Sequence, residues 1–235
     1  MEVFRRLVFC AVIAGCGAGV VVTVLHQWLT VPLILRAEVY ESAASKVVTV
    51  DQAATAHEHA WQPADGLERM SATAIADVLT GIGFALVLSA IWAVRRLSMN
   101  WRRGALWGVG GFVAITLAPS LGLPPELPGT AAADLTVRQL WWLATATMTA
   151  TALGVFVMAK NWQIKTAALL LPLLPHLVGA PLALDTVSLV PAALSSQFTR
   201  AVFVSSFCFW VILGGLTGFV YQGSDPDSAR GHYLQ

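Results

Sequence analysis

Hydrophobic positions in this chain run together in long blocks rather than alternating or recurring on one face. Six blocks approach the roughly 20 mostly apolar residues that a bilayer-spanning helix needs. They lie at about Leu7–Trp28, Ala74–Val94, Gly104–Leu121, Leu135–Ala159, Thr166–Leu184 and Ala201–Tyr221. The pattern predicts an all-α, polytopic membrane protein of about six transmembrane helices. Residues 1–222 are expected to form a single transmembrane domain with a large outer loop at about 29–73. Residues 223–235 are expected to form a mobile polar cytoplasmic tail.

Two blocks carry local complications. The start, MEVFRRLVFCAVIAGC, has the basic-then-apolar order of a secretory signal. The apolar run continues well past Cys16, so an uncleaved first helix is expected. The fifth block, TAALLLPLLPHLVGAPLAL, contains Pro172, Pro175 and Pro181. Each proline removes a backbone donor and breaks a helical bond, so a broken helix is expected there.

Composition agrees with the membrane reading. The chain is 57% apolar and 11% charged, against roughly 25% charged in soluble domains. Its net charge of +1 leaves no basic face for nucleic acid. Cys10, Cys16 and Cys208 lie in apolar runs without CxxC spacing and read as buried packing residues.

The Lys/Arg bias sets the orientation. With the N-terminus inside, nine basic residues fall inside and five outside, and both termini are expected to be cytoplasmic. Ten of the thirteen acidic residues then lie on or near the outer side. Such a negative outer mouth gathers cations.

Candidate chemistry follows from that topology. Glu38 and Glu41, three residues apart, share a face if the first helix continues outward. His57 and His59 share one side of an extended segment. Two imidazoles and two carboxylates suit Co²⁺, Ni²⁺ or Zn²⁺ better than Mg²⁺ or Ca²⁺; the plain alternative is a polar loop. His176, beside the proline breaks, is either a midplane ion station or a histidine bonded across a kink. His26 is either a deeper station or an interfacial histidine next to the anchor Trp28. Asp77 is either a step in an ion path or a charge near a helix start. Asp134 and Arg138, four apart, suit a local pair, and Thr145 and Thr149 offer a small-residue packing face.

Enzymatic motifs are missing. HEH at 57–59 lacks the four-residue histidine spacing of HExxH, and neither a GxxxxGK[ST] loop nor a GxSxG elbow occurs. The chain is read as no enzyme, with no tightly bound cofactor.

Four stretches resemble one family in order along the chain: VPLILRAEVYE (31–41), HEHAWQPADGLERM (57–70), LPPELPG with AADLTVRQLWW (123–142), and LLPHLVGAP (173–181). Together they are similar to the CbtA family of cobalt transporter subunits. The resemblance implies cobalt uptake linked to cobalamin metabolism, in a cell inner (cytoplasmic) membrane. It also implies a small single-span, CbtB-like companion, with the lipid bilayer as the other partner and room for an oligomer. Glu38, Glu41, His57, His59 and His176 match polar positions of its motifs. The expected function is transport of a divalent metal ion. The alternative is a non-transporting membrane subunit or scaffold of a larger complex.

Overall fold

In the computed structural model, the described residues are 1–48, 63–64, 66–183 and 188–223, with side chains omitted for 43–48. Among them there is helix and no strand. The elements are α1 (Glu2–Leu25), a π-helical turn (His26–Thr30), α2 (Val31–Val48), α3 (Leu67–Val94) and α4 (Trp101–Gly111). A second π turn (Phe112–Leu117) follows, then α5 (Ala118–Ser120), α6 (Leu135–Met158), α7 (Trp162–Ala168), α8 (Leu173–Val178) and α9 (Ala192–Gly223).

Four helical stretches are long and apolar enough to cross a membrane: Glu2–Ser42, Leu67–Val94, Leu135–Met158 and Ala192–Gly223. They answer to the first, second, fourth and sixth apolar blocks. The third block is helical across α4, the π turn and α5, but α4 starts ahead of it at Trp101 and carries the polar Arg102-Arg103. The fifth is not a continuous helix. It breaks into α7 and α8 with turns between them, and residues 179–183 are non-helical.

Both π turns precede a proline. In an α-helix, Pro32 would press on the carbonyl of Trp28, and Pro119 on that of Ile115. A wider π turn displaces the offending carbonyl and lets the helix continue. The first helix therefore runs on through α2 rather than ending at the predicted loop. Much of the expected outer loop, residues 31–48, is helical. His57 and His59 lie outside the described residues.

The chain forms two compact units. One comprises Met1–His26, Gln62–Val109 and Ser205–Gln235; the other comprises Gln27–Trp61 and Gly110–Val204. The core of the first is Cys10, Leu88, Trp92, Met99 and Tyr221. The ring of Trp92 meets Tyr221 at 5.6 Å and Trp107 at 6.2 Å, both edge to face.

Glycine makes this unit close-packed. A Cβ on Gly15 would fall on the backbone of Gly81 and Ile82, and one on Gly104 or Gly108 on the backbone of Gly214 or Trp210. Gly15–Gly19, Gly104–Gly108 and Gly214–Gly218 each have the four-residue spacing of a close-approach helix face.

α3 ends in a Schellman motif. The Arg96 amide bonds to the Ala93 carbonyl at 3.2 Å and the Leu97 amide to the Trp92 carbonyl at 2.9 Å. Leu97 packs on the cluster containing Trp92, the apolar contact that commonly accompanies this motif. Arg96 takes the left-handed position, with φ 51°.

The core of the second unit is Ala37, Leu127, Val190, Leu194 and Phe198. Asp134 caps α6 by accepting from the Val137 amide at 3.1 Å, and Asn161 caps α7 from the Gln163 amide at 2.8 Å. The expected local pair of Asp134 with Arg138 does not form. The Asp134 carboxylate is used as the cap, and Arg138 instead donates to Glu126 at 2.6 Å.

Candidate functional site

The clearest convergence of predicted site residues lies between α1 and α3 in the first unit. The glycine contacts at Gly15 and Gly19 bring α1 against Val78, Gly81 and Ile82 of α3. That close approach sets Asp77 opposite the C-terminal turn of α1. His26 Nδ1 lies 3.1 Å from Asp77 Oδ2 and Thr23 Oγ1 lies 2.9 Å from the same oxygen. The Thr23 hydroxyl also reaches the Gly19 carbonyl at 2.9 Å. With one proton it donates to one of the two at a time.

The side chains of His26 and Asp77 are 28% and 15% exposed, in helices apolar enough to span a bilayer. A carboxylate held to Nδ1 of an imidazole places the neutral ring's lone pair on Nε2. Metal-binding histidines use the same arrangement.

His176 sits at a different kind of junction, in the second unit. Pro172 and Pro175 lack the amides that would reach the Ala168 and Leu171 carbonyls, which accept instead from the Leu171 amide at 3.1 Å and the Leu174 amide at 3.2 Å. The His176 ring supplies two contacts, Nδ1 to the Pro172 carbonyl at 2.8 Å and Nε2 to the Ala118 carbonyl at 3.1 Å. Trp141 donates its indole N–H to the Pro175 carbonyl at 3.1 Å and meets the His176 ring edge to face at 5.4 Å. A ring nitrogen that carries hydrogen donates to the carbonyl it faces, and which one does so depends on the tautomer. In this arrangement both His176 ring nitrogens face backbone carbonyls, one beside α8 and one in α5. Gly179, with φ 94°, then turns the chain out of α8.

Glu38 and Glu41 lie on successive turns of α2, half-buried and exposed respectively. The Cβ of Glu41 stands 3.4 Å from where a Cβ on Gly129 would lie, so the Glu126–Thr130 turn passes directly beside it. That turn also carries Glu126, which with its ion-pair partner Arg138 lines a cavity of about 560 Å³. Ser120, Gln139 and Trp142 line the same cavity.

The structure thus brings His26 and Asp77 together, keeps Glu38 and Glu41 on one helix, and places His176 in a backbone junction. Among the described residues, no three His, Cys, Asp or Glu side chains gather in a metal-holding cluster. Sequence reasoning missed Thr23, although it lies one turn before His26. It also gave no role to Trp141, although that residue lies in the family-like stretch AADLTVRQLWW.

Four long apolar helices, with an acid and a histidine joined between two of them, define an integral membrane protein with an ionisable pair between membrane-length helices. The family described as "Probable cobalt transporter subunit (CbtA)" matches residues 4–222, and the chain belongs to that family. It is therefore a metal-transport protein of the cobalt class. Comparison with curated proteins and with solved structures found no match.

Proposed function

We propose that this chain admits Co²⁺ across a bacterial-type inner membrane, in support of cobalamin metabolism, with both termini in the cytoplasm and a small single-span companion beside it. The observation that carries the reading is the Asp77 carboxylate, which receives Thr23 and His26 between two bilayer-length helices. An ionisable group costs several kcal/mol in hydrocarbon, and where it persists it marks an ion or substrate path.

In this reading Glu38, Glu41, His57 and His59 gather the ion at the outer face. His26 and Asp77 pass it inward. His176 receives it after releasing the Ala118 carbonyl, so that a ring nitrogen becomes available. Ni²⁺ and Zn²⁺ satisfy the same nitrogen and oxygen donors.

The word "subunit" in the family description favours a second reading, in which the chain supports a transporting partner. Uptake of Co²⁺ into vesicles separates the two. Vesicles holding the chain and its companion are expected to accumulate Co²⁺ above empty vesicles. Asp77→Asn is expected to abolish most of that uptake while the protein remains folded. Full uptake by Asp77→Asn would remove the pair from the path and leave the supporting role.

A further inference from the structure

One end of the first unit is markedly basic, and the function above makes no use of it. The antiparallel contacts that set Gly15 against Gly81 and Asp77 beside His26 bring the start of α1 to the end of α3. Arg6 donates to the Tyr221 carbonyl at 2.9 Å, and its guanidinium lies 4.3 Å from the Tyr221 ring centre. The end of α9 therefore joins the same group, and the Gly218 contact with the Asn100 carbonyl adds the start of α4. Arg5, Arg6, Arg95, Arg96, Arg102 and Arg103 share this end with a single described acid, Glu2.

These arginines are not equivalent. Arg5 faces Glu2 at 3.5 Å, and Arg103 is turned onto Ser98, with its carbonyl at 3.0 Å and its hydroxyl at 3.1 Å. The side chains of Arg95 and Arg96 are exposed and have no hydrogen-bond or ion-pair partner among the described residues. Arg102 is exposed and stacks its guanidinium 5.3 Å from the Trp101 ring centre. Arg96 also occupies the left-handed position that glycine or asparagine fills without cost. An arginine there is not explained by the turn.

Beside these charges stand exposed apolar side chains: Val94 (82%), Trp101 (55%) and Leu106 (71%). Arg102 and Leu106 are one turn apart on α4. A patch meant for a soluble anion has no need of bare valine, tryptophan and leucine at its border. A patch at the boundary between headgroups and acyl chains has.

We propose that Arg95, Arg96 and Arg102, bordered by Val94, Trp101 and Leu106, form a binding site for the headgroup of an anionic phospholipid. The guanidiniums take the phosphate, for which arginine's forked donors are suited, and the apolar side chains lie along the upper acyl chains. The site is independent of the transport reading and stands whether or not the chain moves cobalt.

Native mass spectrometry of the purified full chain, from micelles mixing phosphatidylglycerol with phosphatidylcholine, counts the retained lipid directly. Wild type is expected to retain phosphatidylglycerol in preference, and raised salt to weaken that preference. R95Q/R96Q/R102Q is expected to lower retention roughly a hundredfold, about fivefold for each guanidinium removed. R95K/R96K/R102K is expected to keep most of it, and Arg36→Gln, at an exposed arginine of α2, to change nothing. Should the glutamine variant fail to fold, the wild-type lipid preference and its salt dependence decide the point. Equal retention of both lipids overturns the proposal. So does displacement of phosphatidylglycerol by inorganic phosphate, which would make this a soluble-anion site. A wild-type chain that holds no phosphatidylglycerol also overturns it and leaves the patch to an acidic protein segment.

Discussion

The two units solve the same backbone problem in opposite ways. Helices of the first unit meet at glycines, with Gly15 on Gly81 and Gly104 and Gly108 on Gly214 and Trp210, so each helix keeps its own hydrogen bonds. In the second, prolines interrupt the helices and side chains add contacts to backbone carbonyls at the breaks. His176 contacts those of Pro172 and Ala118, and Trp141 donates to that of Pro175 beside the Gly179 amide. Where water is scarce, every such carbonyl must be matched inside the protein. The glycine-built unit is thus tolerant of side-chain chemistry and intolerant of volume. The proline-built unit is the reverse, since its order depends on a few donors.

That contrast can be broken most forcefully by adding volume to the first unit. Gly108→Leu would drive a side chain into the Trp210 carbonyl. Its cost is expected at or above the upper end of the roughly 1–3 kcal/mol typical of overpacking. Loss of monodisperse protein on size exclusion, or a collapse of the thermal midpoint, would register it. Gly83→Ala in α3 is the matched control. Nothing lies within 4 Å of the added Cβ, and a gain of about 0.5–1 kcal/mol from helix propensity is expected. Equal damage from both substitutions would show that close approach is not what these glycines supply.

The second unit should respond to chemistry at constant volume. His176→Phe keeps an aromatic ring beside Trp141 but removes both contacts to carbonyls. A loss of about 0.5–1.5 kcal/mol is expected, the net worth of a hydrogen bond, since the Ala118 carbonyl still accepts from the Leu121 amide. An unchanged thermal midpoint in detergent would mean the junction is held by packing alone. A comparable effect is expected at the start of α6, where Asp134→Ala removes the cap and should cost about 1 kcal/mol. Because Arg138 pairs with Glu126 instead, Asp134→Asn should retain most of that stability. A large loss in Asp134→Asn would point back to an Asp134–Arg138 pair.

What the sequence made legible follows from how local each determinant is. The four long helices could be read because about 20 apolar residues in succession have few other uses. The break in the fifth block could be read because proline acts on its own neighbours. The CbtA resemblance, drawn from four short stretches, agrees with a family match over residues 4–222.

The close-approach glycines were visible as spacings at Gly15–Gly19, Gly104–Gly108 and Gly214–Gly218, yet spacing alone does not name the partner helix. The π turns before Pro32 and Pro119 were hidden, since a proline can equally kink a helix. Arg138 went astray because the four-residue rule assumes Asp134 lies within the helix, whereas it stands at the cap. His26 and Asp77 were each singled out, but their meeting spans 51 positions of sequence. Only the register fixed by Gly15, Gly19 and Gly81 decides it.

The central claim is that His26 and Asp77 act as one unit on the path of the ion. Initial rates of Co²⁺ uptake into vesicles, measured for wild type, His26→Gln, Asp77→Asn and the double variant, test it most directly. Residues acting as a unit lose their function together, so each single variant should lose most of the rate and the double variant scarcely more. Single variants that transport at the wild-type rate, or losses that multiply in the double variant, would contradict the claim.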